Sequence, residues 1–111
     1  MISKAEAEHY TWGQNCDGWH LVRRPELGVI QERMPPGTSE VRHHHRQARQ
    51  FFFVLAGRAN FELNGEELEL GPGEGIEVEP GIPHRIANHG QEDLEFLVVS
   101  QPHAHRDRVV L

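Results

Sequence analysis

The chain has 111 residues and a mass of 12.7 kDa, the size of one domain that buries roughly two thirds of the surface its unfolded form exposes. Asp and Glu number 17 against 11 Lys and Arg, a formal charge of -6, which opposes a sequence-independent grip on phosphate backbones and argues against a nucleic-acid partner. The single cysteine, Cys16, closes no disulfide within the chain and leaves no paired-cysteine zinc pattern.

The opening MISKAEAEHYTW holds no apolar stretch of the ~7 to 15 residues a signal peptide needs, and no later run approaches the ~20 of a membrane helix. A cytoplasmic protein with no membrane partner is expected. Gly and Pro recur at short intervals instead of clustering, so residues 1–111 read as one domain.

Ser3 and Glu6 have the spacing of a capping box, which predicts a short N-terminal helical turn over Lys4 to His9 before Asp17-Gly18 turns the chain. From Trp19 onward the pattern changes to short strands between turn signals. They are expected at His20–Arg23, Val29–Met34, Val41–His45, Phe51–Ala56, Ala59–Leu63, Glu66–Leu70, Ile76–Val78, His84–Asn88, Leu94–Ser100 and Arg108–Val110. Asn64-Gly65 is a two-residue hairpin turn, with Phe61, Leu63, Leu68 and Leu70 on one face and Glu62 and Glu69 on the other. With no helical pattern of ~10 residues between strands, the fold class expected is all-β, an antiparallel jelly roll or barrel.

Phe51 to Ala56 is apolar on both faces. Phe52 and Val54 share the Gln50 side, while Phe51, Phe53 and Leu55 call for cover from another sheet or a second subunit. Upstream, alternation puts Gln31 with Arg33 on one face of a strand and Glu32 on the other, either of which can reach a pocket. Arg42, Arg46, Arg49 and Arg85 surround the histidines and are placed to steer an anion, or to form a solvated basic edge.

Nine histidines are the outlier of the composition, and His43, His44 and His45 are consecutive. On a strand His43 and His45 share a face and His44 looks the other way. Two imidazoles on one face make half of a metal site; Gln50 follows on the next strand, and His84, after the turn Gly81-Ile82-Pro83, offers a third imidazole. A second H-x-H, His103 and His105, is a weaker competitor because no partner motif accompanies it.

These residues carry a resemblance to single-domain members of the cupin superfamily. The first cupin motif is matched by Gly37, His43, His45, Gln50 in place of its glutamate, and Gly57. The second is matched by Gly73, Glu79 in place of its first proline, Gly81, His84 and Asn88. The resemblance implies a double-stranded β-helix, often a homodimer, with one divalent transition metal per subunit: iron, manganese, nickel or zinc. It assigns His43, His45 and His84 as metal ligands, with Gln50 at the fourth position as a weak neutral ligand or a hydrogen-bonding group. Gln50, Arg33 and Phe52 are the candidate contacts to a small, anionic ligand. The activity expected is that of a metal-dependent oxygenase, dioxygenase-like, acting on an oxygen-rich or enolisable molecule. An isomerase, epimerase or lyase of sugar-like substrates and a non-catalytic ligand-binding module are the alternatives.

Overall fold

Asn64 and Gly65 both take positive φ, 50° and 88°, the backbone that a tight hairpin between right-twisted strands demands. The turn sets Phe61 opposite Leu68 and Ala59 opposite Leu70. The same strand-and-turn alternation runs through the computed structural model, which describes residues 1–104 and 107–111.

Among the described residues there are eleven strands: β1 (Glu8–Trp12), β2 (Cys16–Arg24), β3 (Leu27–Met34), β4 (His43–His45), β5 (Arg49–Ala56), β6 (Ala59–Leu63), β7 (Glu66–Leu70), β8 (Gly75–Val78), β9 (His84–Ala87), β10 (Leu94–Gln101) and β11 (Arg108–Val110). They form two antiparallel sheets, ordered β1-β2-β3-β10-β5-β8 and β11-β4-β9-β6-β7. This is the double-stranded β-helix expected. No helix long and apolar enough to cross a membrane occurs among the described residues.

The N-terminal helix does not form. Ser3 does bond Glu6, its amide donating to Oε2 at 3.0 Å, and the Ala7 amide donates to Ser3 O at 2.9 Å, but these contacts close one turn only. Beyond it Glu8, Tyr10 and Trp12 alternate with His9 and Thr11, and β1 pairs with β2 from Glu8 opposite His20 to Trp12 opposite Cys16. A strand that completes a sheet outcompetes a short helix, whose first turn fixes several residues for one hydrogen bond.

The core lies between the sheets. Phe52 and Val54 of β5, Phe61 of β6, Ile86 of β9 and Phe96 of β10 are all buried, at 3% exposure or less. Each such side chain stabilises the fold by roughly 1.5 to 3 kcal/mol through the apolar surface it removes from water. The other face of β5 is left open: Phe51 and Leu55 remain 41% exposed. Asn88 ties the end of β3 to the loop before β10, donating through Nδ2 to Met34 O at 2.9 Å and to Glu92 O at 2.8 Å.

Candidate metal centre

Three strands bring the histidines together. His43 on β4 stands directly opposite His84 on β9, and β11 flanks the other edge of β4 with Arg108 opposite His45. Alternation turns His43 and His45 inward, at 4% and 6% exposure, and leaves His44 half-buried. Ring centroids are 5.0 Å apart for His43 and His45, 4.5 Å for His43 and His84, and 5.9 Å for His45 and His84. One ring nitrogen from each lies within 4.8 Å of the others. Among the described residues no other set of three His, Cys, Asp or Glu side chains converges in this way.

The opposite edge of each ring sets its tautomer. His43 Nδ1 is 2.7 Å from Val41 O and His84 Nδ1 is 3.0 Å from Ile82 O. Carbonyl oxygens only accept, so each Nδ1 carries the hydrogen and donates it, and each Nε2 keeps a lone pair. His45 Nδ1 donates to Asp107 Oδ1 at 2.8 Å. Burial works to raise the Asp107 carboxyl, but the Gln47 and Ala48 amides, donating to Oδ2 at 2.8 Å each, and His45 hold it below its ordinary range. Burial lowers all three imidazoles, His43 to about 3, and the group is neutral at pH 7. Neutral imidazoles oriented by carbonyl and carboxylate partners are the form in which histidine binds a metal.

Two buried polar atoms test whether the residues suit an ion. His84 Nε2 and Gln50 Oε1 have no hydrogen-bond partner, although His84 is fully buried and Gln50 is 6% exposed. Gln50 Nε2 donates to Ser100 Oγ, its register partner on β10, at 3.1 Å. Buried acceptors without donors cost roughly 1 to 3 kcal/mol each, and a cation among them offsets that cost. The residues fit a divalent ion.

His43, His45, Gln50 and Phe52 line a cavity of about 470 Å³ together with Tyr10, Glu32, Glu40 and Arg108. Arg33 does not line it. Its guanidinium lies on the outer face of β3, paired with Asp17 at 2.7 Å and Asp93 at 3.1 Å, so the ligand contact expected of Arg33 is corrected: its neighbour Glu32 faces the cavity. Of the basic cluster, Arg42 pairs with Glu62 at 2.8 Å and Arg49 with Glu77 at 2.9 Å. His103 reaches the cavity without joining the three-histidine cluster, and His105 lies outside the described residues.

Two contributors escaped the sequence. Asp107 and Arg108 follow His45 by more than sixty positions, and only the pairing of β11 with β4 places one behind the His45 ring and the other beside the cavity. Among the described residues Arg108 closes no ion pair within 4.0 Å, yet its charge acts on all three imidazoles and on Glu32 and Glu40. Burial raises Glu32 to about 7, and burial together with the charge of Glu32 raises Glu40 to about 8.

A double-stranded β-helix here carries three tautomer-locked imidazoles beside an open cavity, a candidate metal centre. The chain belongs to the cupin family: the Cupin domain family model matches residues 30–100. It is 32% identical over 93 residues to an uncharacterized protein of Methanocaldococcus jannaschii, spanning 83% of this chain and 74% of that one. It is 34% identical over 67 residues to the oxalate-binding protein of Thermotoga maritima, covering 60% of this chain and 55% of that relative. In structure it is similar to KdgF from Halomonas sp., with a TM-score of 0.85, 18% identity and 93% of each chain covered.

Proposed function

We propose that this cupin is a metal-dependent enzyme acting on a small, oxygen-rich, anionic molecule, with His43, His45 and His84 as ligands and Gln50 Oε1 beside them. The observation that carries the reading is the common orientation of the three rings, each with Nδ1–H donated away and Nε2 left as an acceptor. A bound divalent transition ion would supply Lewis acidity at full double charge, because every donor is neutral.

The other residues of the cavity define what it accepts. Arg108 attracts an anionic end, Phe52 offers an apolar wall, and Glu32 and Glu40 accept from hydroxyl groups. A cavity of about 470 Å³ is within the range of small-molecule sites. The relative that binds oxalate, a compact dianion, supports an oxyanion ligand.

Two reaction types are open to this site. Carboxyls that titrate near neutrality within the cavity favour proton transfer, as in an isomerase or lyase, because a general base works best with a pKa near the operating pH. The oxygenase expected from the sequence is the second reading, favoured by the uncharged donor set. Elemental analysis of untagged protein beside its His43→Ala variant tests the metal assignment: near-stoichiometric metal lost in the variant is the expected result, and equal content in both would remove the triad from consideration. Oxygen consumption then separates the two reaction types. Tight ligand binding by the metal-loaded protein without turnover would make it a binding module.

A further inference from the structure

Glu32 is an acid whose neighbours on its own face of β3 and opposite it on β10 are apolar. Along β3 the residues sharing its face are Ile30 and Met34, and its register partner on β10 is Phe96. A carboxyl among such neighbours loses hydration, and the fold returns a single hydrogen bond, Tyr10 Oη donating to Oε1 at 3.1 Å.

That bond crosses a whole strand. Tyr10 on β1, Gly18 on β2 and Glu32 on β3 stand in one register row, and the tyrosine ring lies over the glycine. A Cβ at position 18 would collide with the ring and with its hydroxyl, so Gly18 is there for space, which lets Tyr10 reach Glu32. The second carboxylate oxygen of Glu32 has no hydrogen bond among the described residues, and the residue lines the cavity that His43, His45 and Gln50 also line. Gln50 Oε1, a buried polar atom without a hydrogen-bond partner, faces the same cavity.

The other charged and titratable groups that line the cavity with Glu32 are Glu8 and Tyr10 from β1, His20 and Arg23 from β2, Glu40 from the segment before β4, His43 and His45 from β4, His103 from the segment after β10, and Arg108 from β11. A carboxylate meant only to accept hydrogen bonds gains nothing from desolvation, whereas one that both takes and returns a proton does. Burial brings Glu32 to about 7.

We propose that Glu32 is the proton-transferring residue of this cavity, that Tyr10 seated on Gly18 is its positioning residue, and that the substrate is a small α-hydroxy carbonyl compound. The inference rests on the function proposed above. The free oxygen of Glu32 takes the proton from the carbon bearing the hydroxyl. The C–H electron pair becomes a C=C bond as the carbonyl π pair moves onto oxygen. Glu32, now neutral, returns the proton to the former carbonyl carbon, and the hydroxyl proton passes to the former carbonyl oxygen. Carbonyl and hydroxyl exchange places, with no oxidant or co-reactant consumed.

The test uses the full chain with metal restored, its Glu32→Gln and Tyr10→Phe variants, and dihydroxyacetone in deuterium oxide as the probe. Wild-type protein is expected to exchange the probe's carbon-bound hydrogens, and Glu32→Gln to slow that exchange by at least about 100-fold at unchanged metal content. In metal-free protein, carbon NMR of the Glu32 carboxyl is expected to show its titration moving up in Tyr10→Phe, because a donor to the carboxylate is lost. Exchange at the wild-type rate in Glu32→Gln, or an unmoved titration in Tyr10→Phe, would overturn the assignment and leave the metal centre standing. No exchange by metal-loaded wild type would overturn the substrate class. Full metal content in His43→Ala would instead sink the reading on which the inference rests.

Discussion

Asp107 Oδ1 lies 2.8 Å from His45 Nδ1, a contact between residues 62 apart in sequence. Its other oxygen accepts from the Gln47 and Ala48 amides at 2.8 Å each, so one carboxylate both orients an imidazole and pins the turn between β4 and β5. An amide in its place has one oxygen and cannot serve all three donors. Asp107→Asn is therefore expected to weaken metal binding by about 10- to 100-fold, the usual cost of losing the partner of a ligating histidine. Competition with a chromophoric chelator measures it, and unchanged affinity would show that His45 needs no orientation.

Gln50 faces the cavity with an unpartnered oxygen. Gln50→Glu places a negative charge there, which is expected to tighten metal retention while weakening acetohydroxamate or azide binding, because the carboxylate offsets part of the ion's charge. Calorimetric titration of both proteins decides the matter. Equal anion affinity would put Gln50 out of reach of the ion.

Arg108 closes no ion pair among the described residues while Arg42 and Arg49 do. Arg108→Ala should cost about 10- to 100-fold in affinity for oxalate, the equivalent of one hydrogen bond to a charged group. Arg49→Ala, changed on the outer surface, should cost little. Equal losses in the two would mean that only general charge attraction is at work.

Glu32 and Glu40 hold protons to about 7 and about 8 in the folded chain, against 4.5 for an ordinary glutamate. Between those values the folded state binds more protons than the unfolded one, so their contribution to stability is present at low pH and is lost as pH rises through 7 and 8. The buried histidines act in the opposite sense, but below their ordinary value of 6.5. Urea midpoints of metal-free protein should fall from pH 6.5 to 8.5, and Glu40→Gln, which can still accept from the Ile86 amide, should flatten that fall. Parallel profiles for the two proteins would remove Glu40 from the account.

Much of this molecule is legible along the chain. Alternation in Phe51–Ala56 separates buried Phe52 and Val54 from exposed Phe51 and Leu55, and Asn64-Gly65 closes the hairpin its φ angles require. The motif spacings select His43, His45 and His84 from nine histidines, because strand period and turn chemistry are short-range properties written in consecutive residues. Where a local signal met a tertiary demand it lost: the Ser3–Glu6 cap formed, yet Glu8–Trp12 became an edge strand instead of a helix.

What the tertiary structure alone decided is register between strands distant in sequence. Pairing of β11 with β4 brings Asp107 and Arg108 to the three-histidine cluster. The row through β1, β2 and β3 joins Tyr10 to Glu32 over Gly18. The same stacking turns Arg33 outward onto Asp17 and Asp93, leaving Glu32 to face the cavity. A strand's period of two fixes which residues share a face, but which face meets the core depends on the partner sheet. That choice rests on burying Phe52, Phe61 and Phe96 together, a collective energy that no single segment carries.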